Sequence, residues 1–219
     1  MSGIEQRLQQ LTNSILEGKA DEARQGTYAT MALGGTRNDV LDALIEAVDI
    51  TVDLHDVGEY DSDRLASVER AVGSCLQVLE DTLATAQSRF NLKATIGPLG
   101  LKAGNLLSLA VCAALRSVGF DAVSLSKTQT PLDLLRNSEE LGAALVIPLL
   151  AREDVEPQLR SLLEEIEKGG FKSKFEIIPL AHGLPDVAQF PLFVARNPAE
   201  AISRATEWAL KKQALHSGE

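Results

Sequence analysis

Phe90-Asn-Leu-Lys-Ala-Thr-Ile-Gly-Pro-Leu-Gly-Leu-Lys-Ala-Gly-Asn105 is where the hydrophobic period of this chain changes. Before it, apolar residues recur at three- and four-residue spacing; after it, short apolar runs alternate with helical segments. Upstream, Ile4, Leu8, Leu11, Ile15 and Leu16 form one helical stripe, which Gly18 stops. Asp21 and Glu22 open a second helix through Ala32, ended by Leu33-Gly34-Gly35. Thr36 or Asn38 caps a third, which carries Val40, Leu41, Leu44, Ile45, Val48, Val52 and Leu54. Gly58-Glu59-Tyr60 breaks it, and Ser62 is expected to cap a fourth running from Leu65 to Leu83. Four antiparallel helices with short connections describe a bundle over residues 1–90.

Downstream, strands are expected at 93–97, 122–125, 144–149, 175–180 and 192–195. Helices fit 102–118, 132–141, 155–168 and 198–214. Five strands alternating with helices imply a parallel sheet covered on both faces through right-handed crossovers. Residues 91–219 therefore read as a flavodoxin-like (Rossmann-like) α/β domain with strand order 2-1-3-4-5. Such folds take ligands in the crevice at the carboxyl ends of the strands, here bounded by the loops after residues 97, 125, 149 and 180.

Composition narrows the function classes. The 219 residues carry a net charge of −10, and residues 1–90 alone hold sixteen Asp/Glu against seven Lys/Arg. A surface of that sign repels phosphate, so nucleic acid is excluded as a partner; what it suits is solvation or steering of a basic partner. Aromatic residues are 4%, too few for base-stacking platforms. The longest apolar stretches, 106–115 and 141–151, fall short of the roughly 20 residues that span a bilayer. Met1-Ser-Gly-Ile-Glu-Gln-Arg7 has no apolar core of a secretory signal, and Cys75 and Cys112 form no Cys-x-x-Cys pair. A cytoplasmic location without a cysteine metal site is the expectation.

The loop Gly97-Pro-Leu-Gly-Leu-Lys-Ala-Gly-Asn105 bears glycines and opens a helix, so free N–H groups there could cradle an anion. It is neither Gly-x-Gly-x-x-Gly nor a P-loop, so the signal is weak, and a tight strand-to-helix turn needing small residues is the better explanation. The acidic run Asp53, Asp56, Glu59, Asp61 and Asp63 fits no calcium loop and reads as a solvated bend. No paired carboxylates or nucleophile–base set argues for stand-alone catalysis.

The whole layout resembles the corrinoid (cobalamin) proteins of methyltransferase systems and the cobalamin module of methionine synthase. The resemblance covers nearly the entire chain. It rests on Ile15-Leu-Glu-Gly-Lys-Ala-Asp-Glu-Ala23 and Leu54-His-Asp-Val-Gly-Glu-Tyr60 in the bundle. In the α/β part it rests on Ala114-Leu-Arg-Ser-Val-Gly-Phe-Asp-Ala-Val123, Leu141-Gly-Ala-Ala-Leu-Val-Ile147 and Leu163-Glu-Glu-Ile-Glu-Lys-Gly-Gly170.

The family's three chemical motifs are all altered. Its Asp-x-His-x-x-Gly loop, which gives cobalt a lower histidine oriented by the aspartate, falls on Pro98, Gly100 and Ala103. Its Ser-x-Leu motif, whose hydroxyl meets the buried nucleotide tail, becomes Pro148-Leu149-Leu150. Its Gly-Gly pair beside that tail becomes His182-Gly183. The resemblance thus implies cofactor contacts from Gly100, Leu101, Lys102, Ser126, Pro148, Leu149, His182 and Gly183, with no lower imidazole. It also places the end of the third helix opposite the crevice, where His55 could ligate cobalt from above; the alternative is a polar residue closing the helix C-terminus. His216 lies in a polar tail. The light-receptor subfamily carries a Glu-His pair where Leu65-Ala66 stands here, which counts against a photoreceptor.

The function implied is a cobalamin-binding protein, a methyl carrier, shuttle or sensor, with a methyltransferase or activating protein as partner. The alternatives are a scaffold or regulatory module that has lost the corrinoid, or a binder of another small ligand through Lys102, Ser126 and Lys127. In each case the chain is a carrier or binding protein rather than a stand-alone enzyme.

Overall fold

The computed structural model describes residues 3–84, 89–100, 103–125, 127–181 and 192–217, and their side chains except those of 81–84, 152, 216 and 217. The chain divides into two compact units, Met1–Gln87 and Ser88–Glu219. The first is a four-helix bundle and the second a flavodoxin-like unit built on a five-stranded parallel sheet.

The bundle comprises α1 (Gly3–Leu16), α2 (Ala20–Ala32), α3 (Arg37–Asp56) and α4 (Ser62–Ala84). Its core is the expected stripe: Leu11, Ile15, Val40, Leu44, Val48, Val52, Val68, Val72 and Leu79 are fully buried. Burying each such side chain contributes about 1.5–3 kcal/mol. Gly18 ends α1 with φ +66°, and a Cβ there would stand 2.6 Å from Ser67 Cβ, so the α1–α2 turn needs glycine on both counts. Between the two caps offered for α3, the structure uses Thr36. Asp39 N–H donates to its Oγ1 at 3.2 Å, and Thr36 N–H donates to Asp39 Oδ2 at 2.7 Å. That backbone donor holds the Asp39 carboxyl below its ordinary value. The cap of α4 is a correction: Asp61, not Ser62, accepts the free Arg64 N–H at 2.8 Å. Both residue types cap well, so adjacent candidates could not be ranked from the sequence.

The second unit contains β1 (Lys93–Leu99), α5 (Gly104–Val118), β2 (Asp121–Ser124), α6 (Pro131–Glu140), β3 (Leu145–Leu150), α7 (Val155–Lys168), β4 (Glu176–Ile177), β5 (Leu180–Ala181) and α8 (Pro198–Ser217). All named pairs are parallel, in the order β2-β1-β3-β4, with β5 also on β3. β4 and β5 take successive positions on the same partner, Glu176 opposite Leu145 and Leu180 opposite Leu149. They are one edge strand interrupted at Pro179, which has no N–H to give. The expected fifth strand at 192–195 is reduced to a single bridge between Leu180 and Ala195. There Ala195 N–H donates to Pro179 O and Ala181 N–H donates to Ala195 O. The order 2-1-3-4 thus stands, and the place of a fifth strand is held by one residue.

α5 packs with α8, and α6 with α7. α5 is buried almost throughout, from Gly104 to Leu115. Val146, Leu150 and Leu99 join Leu134, Leu135, Leu159, Leu162 and Ile166 in a cluster beneath α6 and α7. Among the described residues, no helix is long and apolar enough to cross a membrane.

Candidate functional site

The carboxyl ends of β1 and β3 define the expected crevice. The sequence predicts that β1 ends at residue 97 and that a glycine-bearing loop runs from Gly97 to Asn105. Instead the strand continues through Gly97, Pro98 and Leu99, paired with Pro148, Leu149 and Leu150. Gly100 then bridges Leu150 in antiparallel sense at φ +81°, and α5 starts at Gly104. Proline inside a central strand reads as a breaker, but here it sits in the last turnless residues, where one missing donor is tolerated. The segment between β1 and α5 is therefore only 100–103, of which 101 and 102 lie outside the described residues.

Of the predicted contacts, the structure brings together Gly100, Pro148 and Leu149 at this edge. Pro148 and Leu149 are buried, and neither offers a hydroxyl. Leu101, Lys102, Ser126, His182 and Gly183 lie outside the described residues. Lys127 is exposed, and its carbonyl accepts from Gln129 Nε2 at 2.8 Å.

The edge is packed and internally bonded. A Cβ on Gly97 would stand 2.7 Å from Leu134 Cδ1 and 3.5 Å from Leu125 Cδ1. Leu99 is 2% exposed and Leu150 1%. Gln129 N–H donates to Pro98 O at 2.8 Å, and Ala151 N–H donates to Gln158 Oε1 at 3.0 Å. Buried hydroxyls are paired with one another, Thr95 with Ser138 and Ser108 with Ser124, each at 2.6 Å. Gln129 and Gln158 were not foreseen. Each is an ordinary polar residue in the sequence, and only the tertiary fold brings the Gln129 backbone N–H and the Gln158 side-chain amide onto strand ends.

Among the described residues, Gly100, Pro148 and Leu149 offer neither the lower imidazole nor the hydroxyl that the resemblance implies. The position aligned with the lower histidine is a left-handed glycine whose Cβ would lie 2.9 Å from Gln158 Nε2. The ends of β1 and β3 carry the buried leucines Leu99, Leu149 and Leu150.

In the bundle, His55 occupies the last turn of α3 and is half-buried. Its Nδ1 lies 2.8 Å from Tyr60 O. A carbonyl only accepts, so the Nδ1 of the neutral ring carries the proton and Nε2 keeps its lone pair. Tyr60 is held in turn: its hydroxyl donates to Leu16 O at 3.1 Å, and the Arg64 guanidinium lies 5.2 Å from its ring centroid. Asp53, Asp56, Glu59, Asp61 and Asp63 are all exposed, as a solvated bend requires. Both cysteines are buried; burial pushes the Cys75 thiol up to about 11, with the Thr27 hydroxyl opposing, and also raises Cys112. Neither is a thiolate near neutrality. Among the described residues no group of three or more His, Cys, Asp or Glu side chains could hold a metal ion.

No described protein family matches the sequence, and no curated protein does either. The structure is similar to that of the monomethylamine corrinoid protein of Methanosarcina barkeri, with a TM-score of 0.71 and 15% identity, over 93% of this chain and 98% of that one. It is also similar to a cobalamin-binding protein from Desulfitobacterium hafniense DCB-2, with a TM-score of 0.50 and 14% identity, over 95% and 99% of the two chains. The fold is thus the helical bundle plus Rossmann-like unit of corrinoid proteins. At these identities the likeness is one of fold.

Proposed function

We propose that this chain binds a corrinoid without giving cobalt a lower histidine, and serves as a corrinoid carrier. What carries the proposal is the near full-length likeness in fold to two proteins named as corrinoid- or cobalamin-binding. A bound corrinoid would supply the cobalt chemistry, while the protein sets coordination and access.

His55 would be the residue that offers the cobalt a protein ligand. Imidazole suits such a metal. An imidazole whose other nitrogen is fixed by a backbone carbonyl, as Nδ1 is by Tyr60 O, is the arrangement commonly found behind metal-bound histidine. Lys102, Ser126, His182 and Gly183 are assigned to the remaining contacts. The partner is a methyltransferase or an activating protein that receives or reloads the corrinoid, and the acidic residues of 1–90 favour a basic docking face on it.

One observation favours a second function, a scaffold or regulatory module that binds no corrinoid: leucines fill the carboxyl edge of the sheet. Incubation with hydroxocobalamin followed by gel filtration separates the two. Corrinoid absorbance that travels with the protein supports the carrier; a colourless protein leaves the scaffold.

A further inference from the structure

We infer that Tyr60 and Arg64 are positioning residues for His55, and that together they hold its ring in the tautomer that leaves Nε2 as the ligating nitrogen. The inference rests on the corrinoid-carrier function proposed above and adds what prepares the metal ligand of that site.

A neutral imidazole carries one N–H, on either nitrogen, and only the bare nitrogen binds a metal. At His55 the choice is made by the carbonyl of Tyr60, 2.8 Å from Nδ1. A carbonyl in a bend selects a tautomer only while it stays in place. Tyr60 is fixed at three points. Its N–H donates to Leu54 O at 3.0 Å, an acceptor shared with Glu59 N–H at 2.8 Å. Its hydroxyl reaches α1 and donates to Leu16 O at 3.1 Å. Its ring lies beneath the Arg64 guanidinium, 5.2 Å from the centroid.

Arg64 is anchored on the same helix end, where its Nη1 donates to Glu17 O at 3.0 Å. Carbonyls at a helix C-terminus take donors from outside their own helix, and here Tyr60 and Arg64 supply them. Two side chains thus tie the α3–α4 bend to a third helix, and the bend carries the carbonyl that sets the His55 proton. Such support behind a metal-binding histidine is worth about tenfold to a hundredfold in metal affinity.

The test is nitrogen NMR of the histidine rings in the full chain at about pH 8, where histidine is neutral, with His55→Ala assigning the His55 signals. The native chain is expected to show the proton on Nδ1. Tyr60→Phe and Arg64→Ala, singly and together, are expected to spread it over both nitrogens, and the double variant to weaken hydroxocobalamin binding about tenfold. Thr36→Ala removes the cap at the far end of α3; it should lower the urea midpoint and leave the His55 proton where it is. A proton that stays on Nδ1 in the double variant, or that moves as much in Thr36→Ala, overturns the inference. A native chain that retains no hydroxocobalamin, with the proton moving as expected in the Tyr60 and Arg64 variants, overturns the carrier function and upholds the positioning of His55.

Discussion

His55 Nδ1 and the carbonyl oxygen of Tyr60 stand 2.8 Å apart across the bend between α3 and α4. The contact does two things. It closes the C-terminus of α3, whose neighbouring Leu54 carbonyl accepts from Glu59 and Tyr60 N–H, and it leaves Nε2 as the nitrogen able to bind a metal. Capping and ligation are compatible in one tautomer.

His55→Ala is expected to lower stability by about 1 kcal/mol through loss of that hydrogen bond, read as a shift in the urea midpoint. If Nε2 also meets cobalt, the visible spectrum of bound aquacobalamin changes in the same variant. An unchanged spectrum with lowered stability reduces His55 to a helix-end residue.

Gly100→His is expected to fail as a restored lower ligand. The φ of +81° penalises any side chain by about 1–2 kcal/mol, and Pro98 stands where the family has its orienting aspartate. Urea unfolding should show the loss, with the spectrum of bound corrinoid unaltered. A new imidazole-ligated spectrum would contradict this.

Gly97→Ala places a methyl group against Leu134 Cδ1, an overpacking expected to cost about 1–3 kcal/mol. Leu134→Ala alone removes a fully buried side chain and is expected to cost about 2–5 kcal/mol. Because the two groups contend for one space, the double variant should be more stable than the sum of the single losses implies. Additive losses in a thermal or urea denaturation cycle would show that the two sites do not compete.

The thiol of Cys75 predicts a pH effect at the alkaline end. Its folded value of about 11 lies above the ordinary 9.0, so the unfolded state ionises first and gains stability as pH rises. The contribution is complete below about pH 9 and is lost between 9 and 11, at most about 3 kcal/mol. Urea midpoints measured across that range should fall more steeply for the native chain than for Cys75→Ala.

The bundle was legible because its helices carry unbroken stripes, Leu11 with Ile15 and Val40 with Leu44 and Val48, which the core uses as written. The Leu145-Val-Ile-Pro-Leu-Leu150 run likewise marked the buried central strand. Two prolines hid the rest. Pro98 read as the start of a loop because its ring normally ends strand pairing, yet β1 continues one residue past it. Pro179 splits the edge strand whose pattern looked continuous, and leaves Ala195 to hold the position beyond it. At the crevice the altered motifs lead only to the expectation that no lower imidazole comes from this loop. The leucine packing at the strand ends and the Gln158 amide beside Gly100 are not legible there, since both depend on residues distant in sequence.

Crystals of the full chain grown with hydroxocobalamin offer the most direct test, through the anomalous signal of cobalt. The account predicts one cobalt per chain at coordination distance from His55 Nε2, with no protein ligand from residues 97–105. Cobalt ligated from residues 97–105, or no cobalt bound at all, would contradict it.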